Sequence, residues 1–81
     1  MIKPMQRLLE RITHDPNVMG GRACVRGMRV TAGTILGQLA SGTSFDQLLA
    51  DYPYLELDDI RAVLAYAAWL ADQRDLPLQA S

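Results

Sequence analysis

The segment IRAVLAYAAWLA, residues 60–71, decides the fold, because every residue in it except Arg61 is apolar or aromatic. A helix that is apolar all round is buried on more than one side. At helical spacing one face carries Ile60, Val63, Leu64, Ala67 and Ala71, and another carries Ala62, Tyr66 and Trp69. The run is too short to span a bilayer, which takes roughly 20 apolar residues. A chain of 81 residues has little to cover such a helix with, since a monomer of this size buries only about two-thirds of its unfolded surface. One face is therefore expected in the protomer core. The other, with Ala62, Tyr66 and Trp69, is expected in a dimer or partner interface. The alternative is a central helix wrapped by the rest of its own chain.

Upstream, the signals for two more helices are clear. Thr31 is a good N-cap for a helix whose apolar residues Ala32, Ile35, Leu36, Leu39 and Ala40 recur at helical spacing, with Gly42 as its stop. Gly33 and Gly37 lie one turn apart on it, either to permit close backbone approach or simply as soft points. Ser44 with Gln47 forms a capping-box pattern for a second helix, with Phe45, Leu48 and Leu49 facing inward and Pro53 ending it. The third helix begins near Glu56, with Asp58 and Asp59 in its first turn and Leu55 and Ile60 as a hydrophobic staple. After Arg74, Pro77 predicts a short non-helical tail. The organisation is an arm and hairpin over 1–30, a trihelical core over 31–73 and a tail over 74–81, all in one domain.

The first third is richer in turns. Met5, Leu8, Leu9 and Ile12 have helical spacing, but the segment ends in Ile12-Thr13, and a short helix running into a strand fits equally well. Two β-leaning runs between Arg22 and Val30 flank Arg26-Gly27, which predicts a small hairpin or β-hook. Such a ribbon must pack on helices or pair with another strand. The net charge of −1 is unevenly spread. Residues 1–30 hold six basic residues against two acidic ones, and residues 31–81 hold two against seven. An anionic partner should therefore meet the first third, and Arg22, Arg26 and Arg29 are the candidate nucleic-acid contacts.

Catalytic constellations are poor. The composition, 49% hydrophobic and 21% charged, is that of a globular chain. Cys24 is the single cysteine, which excludes an internal disulfide and any CxxC zinc site. His14, the single histidine, reads as part of a turn, and Cys24 reads as a small core residue. Asp58 and Asp59 are adjacent and diverge on a helix, so they make no carboxylate pair. No Walker or dinucleotide glycine spacing occurs. The expectation is a binding module with no catalytic residue, no metal and no cofactor. With no leader-like opening, it is expected in the cytoplasm.

Five linked stretches carry a resemblance: RITHDP from Arg11, GRACVRGMRV from Gly21, ILGQLASG from Ile35, DYPYLELDDI from Asp51 and AYA from Ala65. In order and spacing they resemble the domain-of-unknown-function 433 family from about Arg11 to Ala68. The family pattern has Gly-Lys-Pro before the hairpin, Gly-Thr-Arg after it and Thr at the third-helix cap; here Arg22-Ala23, Met28 and Glu56 stand instead. The resemblance implies a mainly α fold, a short β-hook followed by a three-helix, helix-turn-helix-like core. It further implies an antitoxin, dimeric, that binds a toxin with a PIN-like ribonuclease fold and also its own operator DNA. A toxin-independent transcriptional regulator is the alternative. In a helix-turn-helix the third helix would read bases. Its acidic first turn would repel phosphate, so the hairpin arginines are the better candidates.

Overall fold

A computed structural model describes residues 3–73. Its elements run α1 (Pro4–Leu9), β1 (Ile12–Thr13), a 3-10 turn (Met19–Gly21), β2 (Cys24–Val25), α2 (Ala32–Ala40), α3 (Phe45–Asp51) and α4 (Leu57–Gln73). The fold is mainly α with a small antiparallel β element near its start. The first apolar repeat resolves as a short helix that runs into a strand. The tail expected beyond Arg74 lies outside the described residues.

The β-hook forms around the expected turn. The Met28 N–H donates to the Val25 carbonyl at 2.8 Å. Arg26 and Gly27, the two central residues, have φ of 46° and 72°, as a tight hairpin turn with two left-handed residues requires. The hook does not stand alone. β2 pairs antiparallel with β1 in the register Ile12 with Val25 and Thr13 with Cys24. On its other side Cys24 bridges to Thr31. Three short segments thus satisfy backbone groups that a two-stranded ribbon would leave to water.

α2 starts and stops as its sequence dictates. The Thr31 side chain accepts the Thr34 N–H at 3.1 Å. At the other end Gly42, with φ 96°, donates to Leu39 while the Thr43 N–H reaches Gln38. This is the paired closing of a Schellman cap. Gly33 and Gly37 serve no close approach: a Cβ at Gly37 would meet open space, and one at Gly33 only the Thr31 hydroxyl at 3.9 Å.

α3 departs from expectation in two details. Ser44 accepts the Gln47 N–H at 3.0 Å, but the Gln47 side chain turns forward to Asp51 instead of closing the box. Leu48 is fully buried, whereas Phe45 remains exposed. The core gathers Val25, Val30, Ala32, Ile35, Leu48, Leu55, Ile60 and Val63, so the hook and three helices share one apolar centre. Leu55 and Ile60 are both buried there, as the staple predicts.

α4 is the central helix. α1, α2, α3 and β1 all pack against it, α1 most extensively. Ala62, expected in an interface, is instead 0% exposed within the protomer. The N-terminal segment covers more of α4 than a three-helix core would allow. What remains outside differs from expectation: Leu64 and Ala71, assigned to the core face, are exposed, Leu64 at 40%, and they share the surface with Trp69 at 45%, Arg61, Ala68 and Asp72.

Candidate functional site

Two surfaces lie where the N-terminal segment packs on α4, and a buried carboxylate organises the first. Asp59, third residue of α4, is 1% exposed. Arg26 donates to it twice, Nε to Oδ1 at 2.9 Å and Nη2 to Oδ2 at 2.7 Å. Arg11 Nη1 donates to Oδ1 at 3.0 Å, and the Glu56 backbone N–H donates to Oδ2 at 2.8 Å. Burial alone would push this carboxyl up, but hydrogen bonds from Arg26, the Glu56 amide and Arg11 outweigh it and hold it below the ordinary carboxylate range. Arg26 gains from the same pair and is held above its ordinary value.

The three hairpin arginines therefore separate. Arg26, expected to contact nucleic acid, is committed to Asp59 and also donates to the Tyr54 carbonyl at 3.1 Å. Its guanidinium fastens the hook to α4 and is not a free cation. Arg22 and Arg29 are exposed and form no ion pair among the described residues. Arg22 lines an open groove of about 490 Å³ with Ala23, Thr31, Gly33, Thr34 and Tyr66.

The acidic first turn of α4 is also different in effect. Arg11 pairs with Glu56 at 2.7 Å and approaches Asp58 at 3.9 Å, and Arg61 pairs with Asp58 at 3.2 Å. With Arg26 on Asp59, three guanidinium groups face three carboxylates. The helix start is locally balanced, and the repulsion of phosphate expected from its sequence is largely cancelled. Glu56, standing where the family pattern has threonine, gives up side-chain capping for the Arg11 pair, while Asp59 caps the Glu56 amide from inside the helix.

The second surface is aromatic. His14 Nε2 meets the Tyr66 hydroxyl at 3.3 Å, and the Tyr66 ring stacks on Trp69 with centroids 6.3 Å apart. With Leu9 and Ile12 these side chains line a shallow apolar cleft of about 190 Å³. Of the expected interface residues, Tyr66 is half-buried and Trp69 exposed, while Ala62 lies beneath them in the core. Cys24 is buried at β2, and the polar partner of His14 is Tyr66, not Cys24.

Sequence reasoning missed Asp59 as the shared partner of Arg11 and Arg26, and His14 as the partner of Tyr66. Asp59 was visible as an acidic residue three after Glu56, the capping spacing. Nothing local identifies Arg11 or Arg26 as its partners, because those contacts cross 48 and 33 residues.

Comparison with known proteins places this geometry. The family described as "Protein of unknown function (DUF433)" matches residues 12–67. An uncharacterized protein, y4eO, of Sinorhizobium fredii is 34% identical over 58 residues, which is 72% of this chain and 26% of that protein. The chain thus spans about a quarter of that relative's length. The crystal structure of a DUF433 member from Anabaena variabilis superposes with a TM-score of 0.73 at 32% identity, covering 84% of this chain and 67% of that one.

Proposed function

The chain belongs to the DUF433 family, and we propose that it acts as an antitoxin-like binding protein, a cytoplasmic homodimer that neutralises a PIN-like ribonuclease toxin. The observation that carries the protein-partner part is the exposed Trp69 stacked on Tyr66 beside an apolar cleft. Large aromatic side chains on a rigid helix are preferred anchors in protein interfaces, and truncating one can cost 2 kcal/mol or more of binding, roughly. The toxin identity rests on what the family resemblance implies. The protein carries no reaction of its own in this reading; it blocks one.

Co-expression with the product of the adjacent reading frame, followed by co-purification and a ribonuclease assay, tests the proposal. A nuclease that co-purifies and is silenced by this chain, with Trp69→Ala weakening both effects, is the expected result. A neighbouring nuclease that neither binds nor loses activity would overturn it.

Operator binding is a second activity, and a toxin-independent regulator is the alternative function. One observation favours DNA contact through the hook: Arg22 and Arg29 are exposed and form no ion pair among the described residues, whereas Arg11, Arg26 and Arg61 are each paired with a carboxylate at the start of α4. Sequence-dependent DNA binding with no toxin partner would favour the regulator.

A further inference from the structure

We infer that a second copy of this chain docks antiparallel along the outer stripe of α4, formed by Arg61, Leu64, Ala68 and Asp72. The inference rests on the homodimer reading above, but it moves the interface to a different face of the helix from Tyr66 and Trp69. These four residues recur at three- and four-residue steps, so they line one side of α4. All four are exposed, with Leu64 at 40%, while Asp59, Ile60, Ala62 and Val63 are buried away from the stripe and Ala65 is buried at its edge.

The stripe is self-complementary in one orientation only. Arg61 and Asp72 are roughly 16 Å apart along the axis at 1.5 Å per residue, too far to pair within one helix. A parallel copy in register would set Arg61 against Arg61 and Asp72 against Asp72. An antiparallel copy whose two-fold axis crosses the stripe midway between Leu64 and Ala68 sets Arg61 beside Asp72 twice. The same placement puts Leu64 over Ala68 twice, a large side chain facing a small one, so the helices can approach closely. A two-fold contact of this kind is isologous and closes, giving a dimer and no further growth. Arg61 now touches Asp58 at 3.2 Å within its own helix. That exposed pair is worth little and is readily shared.

Sedimentation equilibrium of the full chain tests the seam, with circular dichroism confirming that each variant keeps its helicity. Wild-type chain should dimerise. Arg61→Asp and Asp72→Arg should each weaken dimerisation about tenfold or more, and the two together should recover most of the loss. Leu64→Glu should leave a folded monomer. A wild-type monomer at high micromolar concentration would overturn both the seam and the dimer reading. A dimer indifferent to Leu64→Glu and to both charge reversals would overturn the seam and leave the dimer reading standing. A folded double variant that associates no better than the single ones would also overturn the seam.

Discussion

Arg26 and Asp59, 33 residues apart in sequence, are joined by two parallel hydrogen bonds of 2.9 and 2.7 Å. Arg26 occupies a left-handed turn position with φ 46°, where a residue with a Cβ pays roughly 1 kcal/mol or more in backbone strain. A glycine there would relax the turn and lose the guanidinium. The fork of donors offsets the strain by gripping both oxygens of a buried carboxylate. Arg11 arrives at the same carboxylate from the start of β1, so Asp59 holds β1, the hook and α4 in one arrangement.

Asp59→Asn should destabilise the fold by about 3 kcal/mol, near the lower limit for breaking a buried ion pair. The lower limit applies because Arg11 and Arg26 retain side-chain exposures of 29% and 37% and can recover some water. Urea denaturation followed by circular dichroism measures this. A loss below about 0.5 kcal/mol, the ordinary range for surface substitutions, would contradict the central role given to Asp59.

The same carboxylate sets a pH dependence. Its folded pKa is held below the ordinary carboxylate value by its hydrogen-bond donors, so the unfolded chain takes up the proton at higher pH than the folded one. The stabilisation is fully present above the unfolded value and is lost as pH falls through the folded one. As far as Asp59 governs them, midpoints of urea unfolding should be independent of pH above about pH 5 and should fall below about pH 4. Asp59→Asn should remove part of that acid slope. An identical slope in the variant would assign the acid sensitivity to other groups.

The helices were legible because their signals are local. Thr31, Gly42 and Ser44 announce their caps within a few residues, and the hook turn is written in Arg26-Gly27. The aromatic surface was half legible: Tyr66 and Trp69 stand out, but Ala62 looks the same whether it faces a partner or the rest of its own chain. That distinction depends on where the N-terminal segment packs, and Met5, Leu8, Leu9 and Ile12 do not encode it. The basic cluster misled for a related reason. Arg22, Arg26 and Arg29 are equivalent in sequence, and only the distant Asp59 distinguishes one of them.

Gly37→Ala should stabilise the protein by about 0.5–1 kcal/mol, since glycine in a helix interior costs that much relative to alanine. The added Cβ would meet nothing within 4 Å. For a domain of this size, a gain of about 1 kcal/mol raises Tm by roughly 4–8 °C. A lower Tm by thermal unfolding would mean that α2 uses the glycine for close contact in an assembly, and the dimer should then weaken in the same variant.

DNA binding, where it occurs, should depend on Arg22 and Arg29 and not on the third hook arginine. Each phosphate contact contributes about 0.9 to the slope of log affinity against log salt. Replacing Arg22 and Arg29 with glutamine should therefore flatten that slope by about 1.8 per protomer if both touch phosphate. Arg26 cannot be tested in the same way, because its loss would unfasten the hook from Asp59 and lower affinity through the fold. Asp59 is excluded for the same reason, which leaves Asp58 as the acidic residue to neutralise. Asp58→Asn removes an exposed carboxylate paired with Arg61 and should leave affinity equal or higher. Fluorescence anisotropy with a DNA duplex at several salt concentrations reads all three variants. If the glutamine variants keep the wild-type slope while Asp58→Asn abolishes binding, the start of α4 meets the DNA and the hook does not.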